Sequence, residues 1–488
     1  MRRSNPGCLR ERVWIASAFA KASADKSLRS QSRALKQRCP LSSAPPRGTH
    51  LDVEFIIDKL ICIYLIYLKN SQPRHAANKR EETTMRGLLA CAMLAAMTSA
   101  AMTTVATAQV SDDAVRIGVL TDLSSWGRDN SGPGSVEAAK MAVEEFGPTV
   151  LGKPIEIISA DHQMKTDVGV QIVRGWFDNG KVDAVVDIPN SGIAIAVHNM
   201  VRERGKVALL SGPGASSLTD ELCSPNTVHF TYDTYALSKV TASAVIKEGG
   251  KSWYFITADY AFGQQLEKDA TRFVNEMGGK VLGGVKHPTN TADFSSFALQ
   301  AQSSKSDVVA FANAGQDTDN AIKQSGEFGL VQGGQKLVGL LMFDTDVHAI
   351  GLKAAQGTYM TTASYWAMDE ATRAWSKKFY ERTKVMPTMI QTGVYGSVLH
   401  YLKAIKAAGT DDSAKVMAKM RELPIEDTFV HGGKLREDGR VIRDMYLAKV
   451  KKPEQSKEPW DYLDIVKTVK GEDAFRPVSE SKCPLLKK

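Results

Sequence analysis

Short apolar runs alternate with amphipathic segments along the chain from residue 115 onward. The run VRIGVL at 115–120 is apolar at most positions, whereas SVEAAKMAVEEF at 135–146 carries apolar residues at helical spacing. Buried strands that alternate with amphipathic helices are typical of a parallel sheet covered on both faces. The pattern predicts strands at 115–120, 155–159, 184–188 and 207–210, and helices at 135–146, 167–179 and 193–204.

The same alternation restarts after HFTYDTY at 229–235, so we expect a second, similar α/β lobe. Ligands bind outside the carboxyl ends of parallel strands, so two lobes that face each other there would hold a ligand in the cleft between them. The predicted strands are 253–257, 281–285, 308–312, 337–341 and 358–362, and the predicted helices are 263–276, 317–326, 370–383, 392–408 and 413–423. A hairpin is predicted from 430–435 and 445–450 around a turn at 436–439, before a polar stretch at 451–488 that we expect on the surface.

The segment MRGLLACAMLAAMTSAAMTTVATAQV has the layout of a secretory signal peptide. Arg86 supplies the positive start, an apolar middle follows, and Ala106-Thr107-Ala108 is an A-x-A cleavage site. We therefore predict a signal peptide at 85–108, a mature start at Gln109 and a periplasmic location. The alternatives are a core or membrane helix and a lipoprotein cleavage box at Leu88–Cys91, although the apolar run is shorter than a bilayer requires.

The basic excess of the chain lies before the predicted cleavage site. Residues 1–108 hold 17 of the 62 Lys and Arg and 7 of the 54 Asp and Glu, a net charge of +10, which leaves −2 for the remainder. A near-neutral mature chain gives no reason to expect nucleic acid or a membrane surface as a partner. We interpret 1–84 as upstream sequence read in frame, with a disordered extension as the alternative.

Two of the six cysteines lie beyond the predicted cleavage site, Cys223 and Cys483. A small, even number of cysteines in an exported chain favours one disulfide. The alternative is a pair of free thiols, one buried and one on a loose tail.

The loops after the first-lobe strands carry the candidate ligand contacts of that lobe. Asn190 and Ser191 follow the third predicted strand, Gly214, Ala215 and Ser216 follow the fourth, and helices start directly after both. Serine hydroxyls and free backbone N–H groups at helix N-termini suit a carboxylate or another anion. The alternative is that both serines are ordinary helix caps.

The second lobe offers Tyr260, Phe262, Asn313 and Asp344 at its own predicted strand ends. The aromatic rings could pack on an organic ligand, with Trp126 of the first lobe across the cleft. Asp344 could neutralise a cationic group. The alternatives are that the aromatic residues are packing residues and that Asp344 caps the following turn.

Motifs for catalysis or cofactors do not occur in the sequence. It lacks the phosphate-binding motif G-x-x-x-x-G-K-[ST] and the nucleophile elbow G-x-S-x-G, and the seven histidines after residue 108 form no H-x-H or H-x-x-x-H pair. We therefore expect neither cofactor nor metal and favour a binding protein over an exported α/β enzyme. A ligand-sensing module is a third possibility.

Four segments together resemble the periplasmic substrate-binding proteins of ABC importers, of the branched-chain amino acid type. They are VRIGVLTDLSS, the pattern G-x-x-x-A-A-x-x-A-V at 134–143, SGPGASSLT and ADYAFG, and the resemblance covers about 114–450. It implies two Rossmann-like lobes joined by a three-crossover hinge, the type I periplasmic binding fold. The expected lobes are 109–233 plus 364–425 and 234–363 plus 426–470, with a tail at 471–488 and crossovers near 232–235, 363–366 and 425.

The resemblance also implies roles for particular residues. Ser191 and Gly214-Ala215-Ser216 match the family's carboxylate contacts, Phe262 matches an aromatic position that is usually tyrosine in amino acid binders, and the acid that holds an ammonium group maps near Asp344. The loops WGRDNSGPGS and LCSPNTVHFTYDTYAL look like a subgroup similar to binders of lignin-derived aromatic acids. The prediction is a monomeric protein that closes on a small carboxylate, with an aromatic acid favoured over an aliphatic amino acid, and delivers it to a membrane permease.

Overall fold

The computed structural model describes residues 110–486. The predicted signal peptide at 85–108 and the leader at 1–84 lie outside the described residues. None of the helices within 110–486 is both long enough and apolar enough to span a bilayer.

Thirteen α-helices are found in the described part of the chain. They are α1 (Gly132–Phe146), α2 (Thr166–Asp178), α3 (Ser191–Glu203), α4 (Thr234–Lys247), α5 (Ala261–Glu276), α6 (Ser295–Ser303), α7 (Gln316–Glu327), α8 (Asp344–Ile350), α9 (Leu352–Ala355), α10 (Glu370–Thr383), α11 (Met389–Ala408), α12 (Ser413–Glu422) and α13 (Gly471–Ala474). Short 3-10 turns occur at Ser216–Thr219, Pro453–Gln455 and Val478–Glu480.

The first lobe is built on a six-stranded sheet in the order β2-β3-β1-β4-β5-β6. All neighbours in it are parallel except the short edge strand β2, which is antiparallel to β3. Helices α1, α10, α11 and α12 contribute to the same apolar core as one face of this sheet, and α2 and α3 cover the other. The strands are β1 (Val115–Thr121), β2 (Thr149–Val150), β3 (Lys153–Asp161), β4 (Ala184–Asp187), β5 (Val207–Leu210) and β6 (Thr227–His229).

The second lobe combines a parallel sheet with an antiparallel one. The parallel sheet has the order β10-β9-β7-β8, and the antiparallel sheet has the order β11-β14-β15. Its strands are β7 (Ser252–Ala258), β8 (Lys280–His287), β9 (Val308–Ala312), β10 (Lys336–Gly339), β11 (Tyr359–Thr362), β14 (Met445–Val450) and β15 (Leu463–Val469). The predicted α/β class with two lobes is confirmed, and the antiparallel sheet is an addition to the parallel sheet predicted for this lobe.

The predicted hairpin between 430–435 and 445–450 is wrong. The two-stranded ladder joins β12 (Lys434–Leu435) to β13 (Val441–Ile442), and β14 pairs instead with β11 and β15. The turn at 436–439 is where it was predicted, and the Asp438 carboxylate stabilises it by accepting from the backbone N–H of Arg440 and from the guanidinium of Arg436. Gly439 adopts the left-handed conformation that this turn requires, with φ +85°.

The chain passes between the two lobes three times, and two buried arginines bind the backbone of these passages. Arg440 donates from Nη1 to the carbonyl oxygen of Tyr232 at 2.9 Å. Arg443 donates from Nη2 to the carbonyl oxygens of Ala363 at 2.7 Å and Phe429 at 3.0 Å. The passages lie between β6 and α4, between β11 and α10, and between α12 and β14, so one short segment touches all three.

The predicted disulfide is present between Cys223 and Cys483, which are separated by 260 residues. Before reaching it, the C-terminal segment runs from β15 across the surface of the second lobe. There it contacts α5, where Glu480 pairs with Arg272 at 2.7 Å. The backbone N–H of Lys482 then donates to the carboxylate of Asp220 in the first lobe. The end of the chain is therefore a covalent strap between the lobes, anchored close to the loop that carries Ser216.

Candidate functional site

A small cavity, about 30 Å³, lies where the carboxyl ends of the two parallel sheets face each other. Its lining comes from the loops after β1, β3, β4, β5, β6, β7, β9 and β10 and from the first residues of α3, α5 and α11. The lining residues are Trp126, Gly127, Asn130, Ser131, Met164, Pro189, Ser191, Gly212, Gly214, Tyr232, Tyr260, Phe262, Ala314, Gly315, Leu341, Phe343 and Ile390.

The loop after β1 is folded around one buried carboxylate, that of Asp122. Its oxygens accept from the backbone N–H groups of Ser125 at 2.9 Å and Gly127 at 2.8 Å, which fixes a tight turn. Burial raises the pKa of Asp122, and these hydrogen bonds act in the opposite direction. The turn presents Trp126 to the cleft, where its ring meets Tyr260 edge to face, with centroids 5.9 Å apart.

The two lobes touch each other at the cavity. Besides the contact of Trp126 with Tyr260, the Thr345 hydroxyl of the second lobe donates to the Asn130 side chain of the first at 2.7 Å. A Cβ placed on Gly214 would lie 2.5 Å from the ring of Phe262, so the loop after β5 contacts this ring closely. The structure is therefore a closed arrangement of the lobes.

Ser191 lies at the start of α3 and lines the cavity. Asn190 caps this helix by accepting from the backbone N–H groups of Gly192 and Ile193 at 2.9 and 3.1 Å. The Ser191 hydroxyl oxygen accepts from the backbone N–H groups of Gly214 and Ala215, both at 3.2 Å. A hydroxyl has two acceptor positions and one donor, so its hydrogen remains for a further acceptor.

Ser216 and Ala215 do not line the cavity. The Ser216 hydroxyl donates to the Asp269 carboxylate of α5 at 2.8 Å, and the Thr234 hydroxyl donates to the same oxygen at 2.6 Å. These bonds join the loop after β5 to the second lobe beside the first passage. The Ser216 hydroxyl is therefore bonded to the second lobe on the hinge side of the molecule.

The second-lobe candidates divide in the same way. Tyr260 and Phe262 line the cavity, and burial raises the pKa of Tyr260. Asn313 lies behind the lining, where its side-chain oxygen accepts from the Thr318 hydroxyl at 2.8 Å. Asp344 is also outside the lining, and burial, followed by the charge of Asp346, raises its pKa to about 8. Of the ten predicted contacts, the structure brings together Trp126, Ser191, Gly214, Tyr260 and Phe262.

Several lining residues were not predicted from the sequence. Phe343 lies two residues after the predicted strand 337–341, and Tyr232 lies in the quoted stretch HFTYDTY between the lobes, so both positions carried a usable signal. Met164 follows β3, whose loop was not considered. Ile390 belongs to α11, and nothing in the sequence places the first turn of that helix at the cleft.

The cavity lining carries no charged side chain among the residues that the structure describes. The lining holds aromatic, aliphatic, glycine, serine and asparagine residues and no Asp, Glu, Lys, Arg or His. No group of acidic, histidine or cysteine side chains within 110–486 could hold a metal ion. The lining offers aromatic ring surfaces and the Ser191 hydroxyl hydrogen to a bound molecule.

Comparison with known proteins identifies the family. A family model for periplasmic binding proteins matches residues 114–457. A periplasmic binding protein from Burkholderia mallei is 50% identical, with 77% of this chain and 100% of that chain covered and a TM-score of 0.75. A branched-chain amino acid ABC transporter periplasmic ligand-binding protein from Burkholderia xenovorans is 40% identical, with 76% and 99% covered and a TM-score of 0.69.

A more distant structure shares the fold. It is a solute-binding protein of an ABC transporter from Rhodopseudomonas palustris in complex with 3,4-dihydroxybenzoic acid, 21% identical, with 74% and 98% covered and a TM-score of 0.67. The chain therefore belongs to the periplasmic binding proteins, as a solute-binding component of an ABC transporter.

Proposed function

We propose that this protein closes on a small aromatic carboxylate and delivers it to the permease of an ABC importer. The observation that carries the proposal is the lining itself, in which aromatic rings from both lobes surround a space without charged side chains. Trp126, Tyr232, Tyr260, Phe262 and Phe343 offer ring faces and edges to a flat ligand.

An amino acid would be a poor fit for this lining. Its ammonium group needs a carboxylate partner once it is buried, because an unpaired buried charge costs several kcal/mol. Asp344, the residue expected to play that part, lies outside the lining, and its raised pKa of about 8 favours a neutral carboxyl group at neutral pH. An aromatic acid carries no ammonium group and does not need such a partner.

The ligand carboxylate is assigned to Ser191. Its hydroxyl hydrogen is available, and it lies at the N-terminus of the 13-residue helix α3, where the helix dipole favours an anion. The N–H groups of Gly214 and Ala215 point to the Ser191 oxygen. We therefore expect them to act through Ser191, by orienting its hydroxyl and making it a better donor.

The competing ligand is a branched-chain amino acid, which the description of the Burkholderia xenovorans relative favours. The dihydroxybenzoate complex supports an aromatic acid only through a shared fold. A thermal-shift and calorimetry series separates the two, with benzoate, 4-hydroxybenzoate, benzamide, cyclohexanecarboxylate and leucine as probes. Benzoates should raise the melting temperature, by the equivalent of about 2.7 kcal/mol at a hundredfold excess over Kd. Benzamide tests the carboxylate and cyclohexanecarboxylate tests the ring; stabilisation by leucine without any by benzoates would overturn the proposal.

Export is proposed to use the segment 85–108, with Gln109 as the first residue of a monomeric mature protein. The disulfide between Cys223 and Cys483 supports a chain that works in an oxidising compartment. Mass spectrometry of the periplasmic fraction should find Gln109 at the N-terminus. Peptides from before Met85 in that fraction would contradict both the start and the interpretation of 1–84.

A further inference from the structure

The backbone directly beneath the ligand cavity is strained. Asp187 ends β4 with φ +78°, and Ile188 follows with φ +58°. This left-handed region is uncommon for residues other than glycine, asparagine and aspartate, and it is most costly for a β-branched residue such as Ile188. Pro189 and Ser191, which come next in the chain, line the cavity. The strain is thus located where the binding loop begins, as is common at ligand-binding segments.

The side chain of Asp187 connects this strained segment to the loop that carries Trp126. Asp187 has no exposed surface, and its Oδ2 accepts from the Thr121 hydroxyl at 2.8 Å. Thr121 is the last residue of β1. In addition, the backbone N–H of Ile188 donates to the carbonyl oxygen of Leu120 at 2.9 Å.

The same residue also contacts the loop after β5. Its Oδ1 has no hydrogen-bond partner and lies against Gly212, since a Cβ on that glycine would be 2.8 Å away. The backbone N–H of Gly212 donates to the carbonyl oxygen of Asp187 at 3.4 Å, and Gly212 lines the cavity. One buried residue therefore touches the starts of three loops that form the first-lobe side of the cavity.

We propose that Asp187 is a positioning residue for ligand binding. It holds the loops after β1, β4 and β5 in register through Thr121 and Gly212, and these contacts stabilise the strained backbone that presents Pro189 and Ser191. It does not touch the ligand. The inference rests on the proposed ligand site, although the loop geometry that it predicts can be measured without a ligand.

The charge of Asp187 gives this role a measurable signature. Burial raises the pKa of its carboxyl to about 7, against the hydrogen bond from Thr121. The titratable side chain that faces it is Tyr232, whose phenol donates to the carbonyl oxygen of Gly212 at 2.6 Å and whose pKa is raised by burial. Tyr232 stays neutral in this range, whereas burial also raises the pKa of Asp122 in the loop after β1 and raises that of Asp346 to about 7. The part of the loop titration that belongs to Asp187 is therefore the part that Asp187→Asn removes.

The experiment follows the backbone amides of 120–127, 188–193 and 211–215 by ¹H–¹⁵N NMR between pH 5.5 and 8.5. In the wild type they should titrate with a midpoint near 7. Asp187→Asn should remove the component of this titration that Asp187 contributes and weaken benzoate binding about tenfold. Asp183→Asn is the matched control, because Asp183 is a buried carboxylate that pairs with Lys206 beside the other end of β4. It should leave the loop amides and the benzoate affinity unchanged.

The two proposals fail in different ways. If the wild type binds no benzoate, the proposed ligand is wrong, while the amide titration still decides the role of Asp187. If Asp187→Asn does not fold, Thr121→Val replaces it, because valine keeps the shape of threonine and removes the hydroxyl that donates to Asp187. A loop titration in Asp187→Asn that matches the wild type, or loop spectra of Thr121→Val that match the wild type, would overturn the positioning role.

Discussion

Replacement of Ser191 by alanine tests both the site and the way in which it is built. The side chain is 1% exposed, and its oxygen accepts two backbone N–H groups at 3.2 Å each. Alanine would leave both donors without an acceptor in a buried place. An unsatisfied buried group costs about 1–3 kcal/mol, and since these bonds are long, we expect a loss in the free energy of unfolding of about 2 kcal/mol in total. Denaturant titration measures that loss.

The same substitution should weaken binding. A hydrogen bond to a charged group is worth about 1.5–3 kcal/mol, so the Kd for benzoate should rise about tenfold or more in calorimetry. Ser217→Ala is the matched control, because it removes a hydroxyl from the neighbouring loop outside the cavity lining. Ser216→Ala should reduce stability more than affinity, since that hydroxyl donates to Asp269. A Ser191→Ala protein with wild-type affinity would refute the assignment of the carboxylate to Ser191.

Three further predictions concern the molecule as a whole. Replacing Cys223 and Cys483 together by serine should lower the free energy of unfolding by up to about 5 kcal/mol in the simple chain model, and equal denaturation midpoints would contradict it. Burial raises the folded-state pKa of Asp187 and Asp346 to about 7 and of Asp344 to about 8, so the stability that these groups contribute when protonated should be lost as pH rises from their ordinary pKa of 3.8 to about 8. Melting curves at the two ends of that range check the sign, and Asp344→Asn should reduce the dependence. Small-angle scattering should give a smaller radius of gyration with benzoate than without it, and identical curves with binding confirmed would indicate a preformed closed site.

The sequence predicted the strands well because most of them are short, fully apolar and separated by clear helical patterns. It missed α4, which follows the first passage, for a physical reason. Thr234, Leu237, Val240 and Thr241 are all buried, so the helix is covered on most sides and shows little periodicity. The hairpin was placed wrongly because, judged by apolar residues alone, 445–450 is as good a partner strand for 430–435 as the two residues of β13 are. Only the turn at Asp438 and Gly439 distinguishes them.

The site was predicted in part, because a position after a strand fixes the place of a residue but not the direction of its side chain. Ser191 and Ser216 looked equivalent in the sequence, yet one lines the cavity and the other bonds to Asp269. Asp344 directly follows the lining residue Phe343 and is itself outside the lining. Ile390 comes from a distant helix, so its place in the site depends on how the lobes are joined.

The contacts of Arg443 have a consequence for how this protein can vary. The guanidinium binds the second and third passages through main-chain carbonyl oxygens, those of Ala363 and Phe429, and not through their side chains. Every residue type supplies the same carbonyl, so substitutions in these two segments leave the anchor intact. An insertion or deletion would move the carbonyl out of reach and leave a buried cation without acceptors. Both connections are therefore tolerant of changes in composition and intolerant of changes in length.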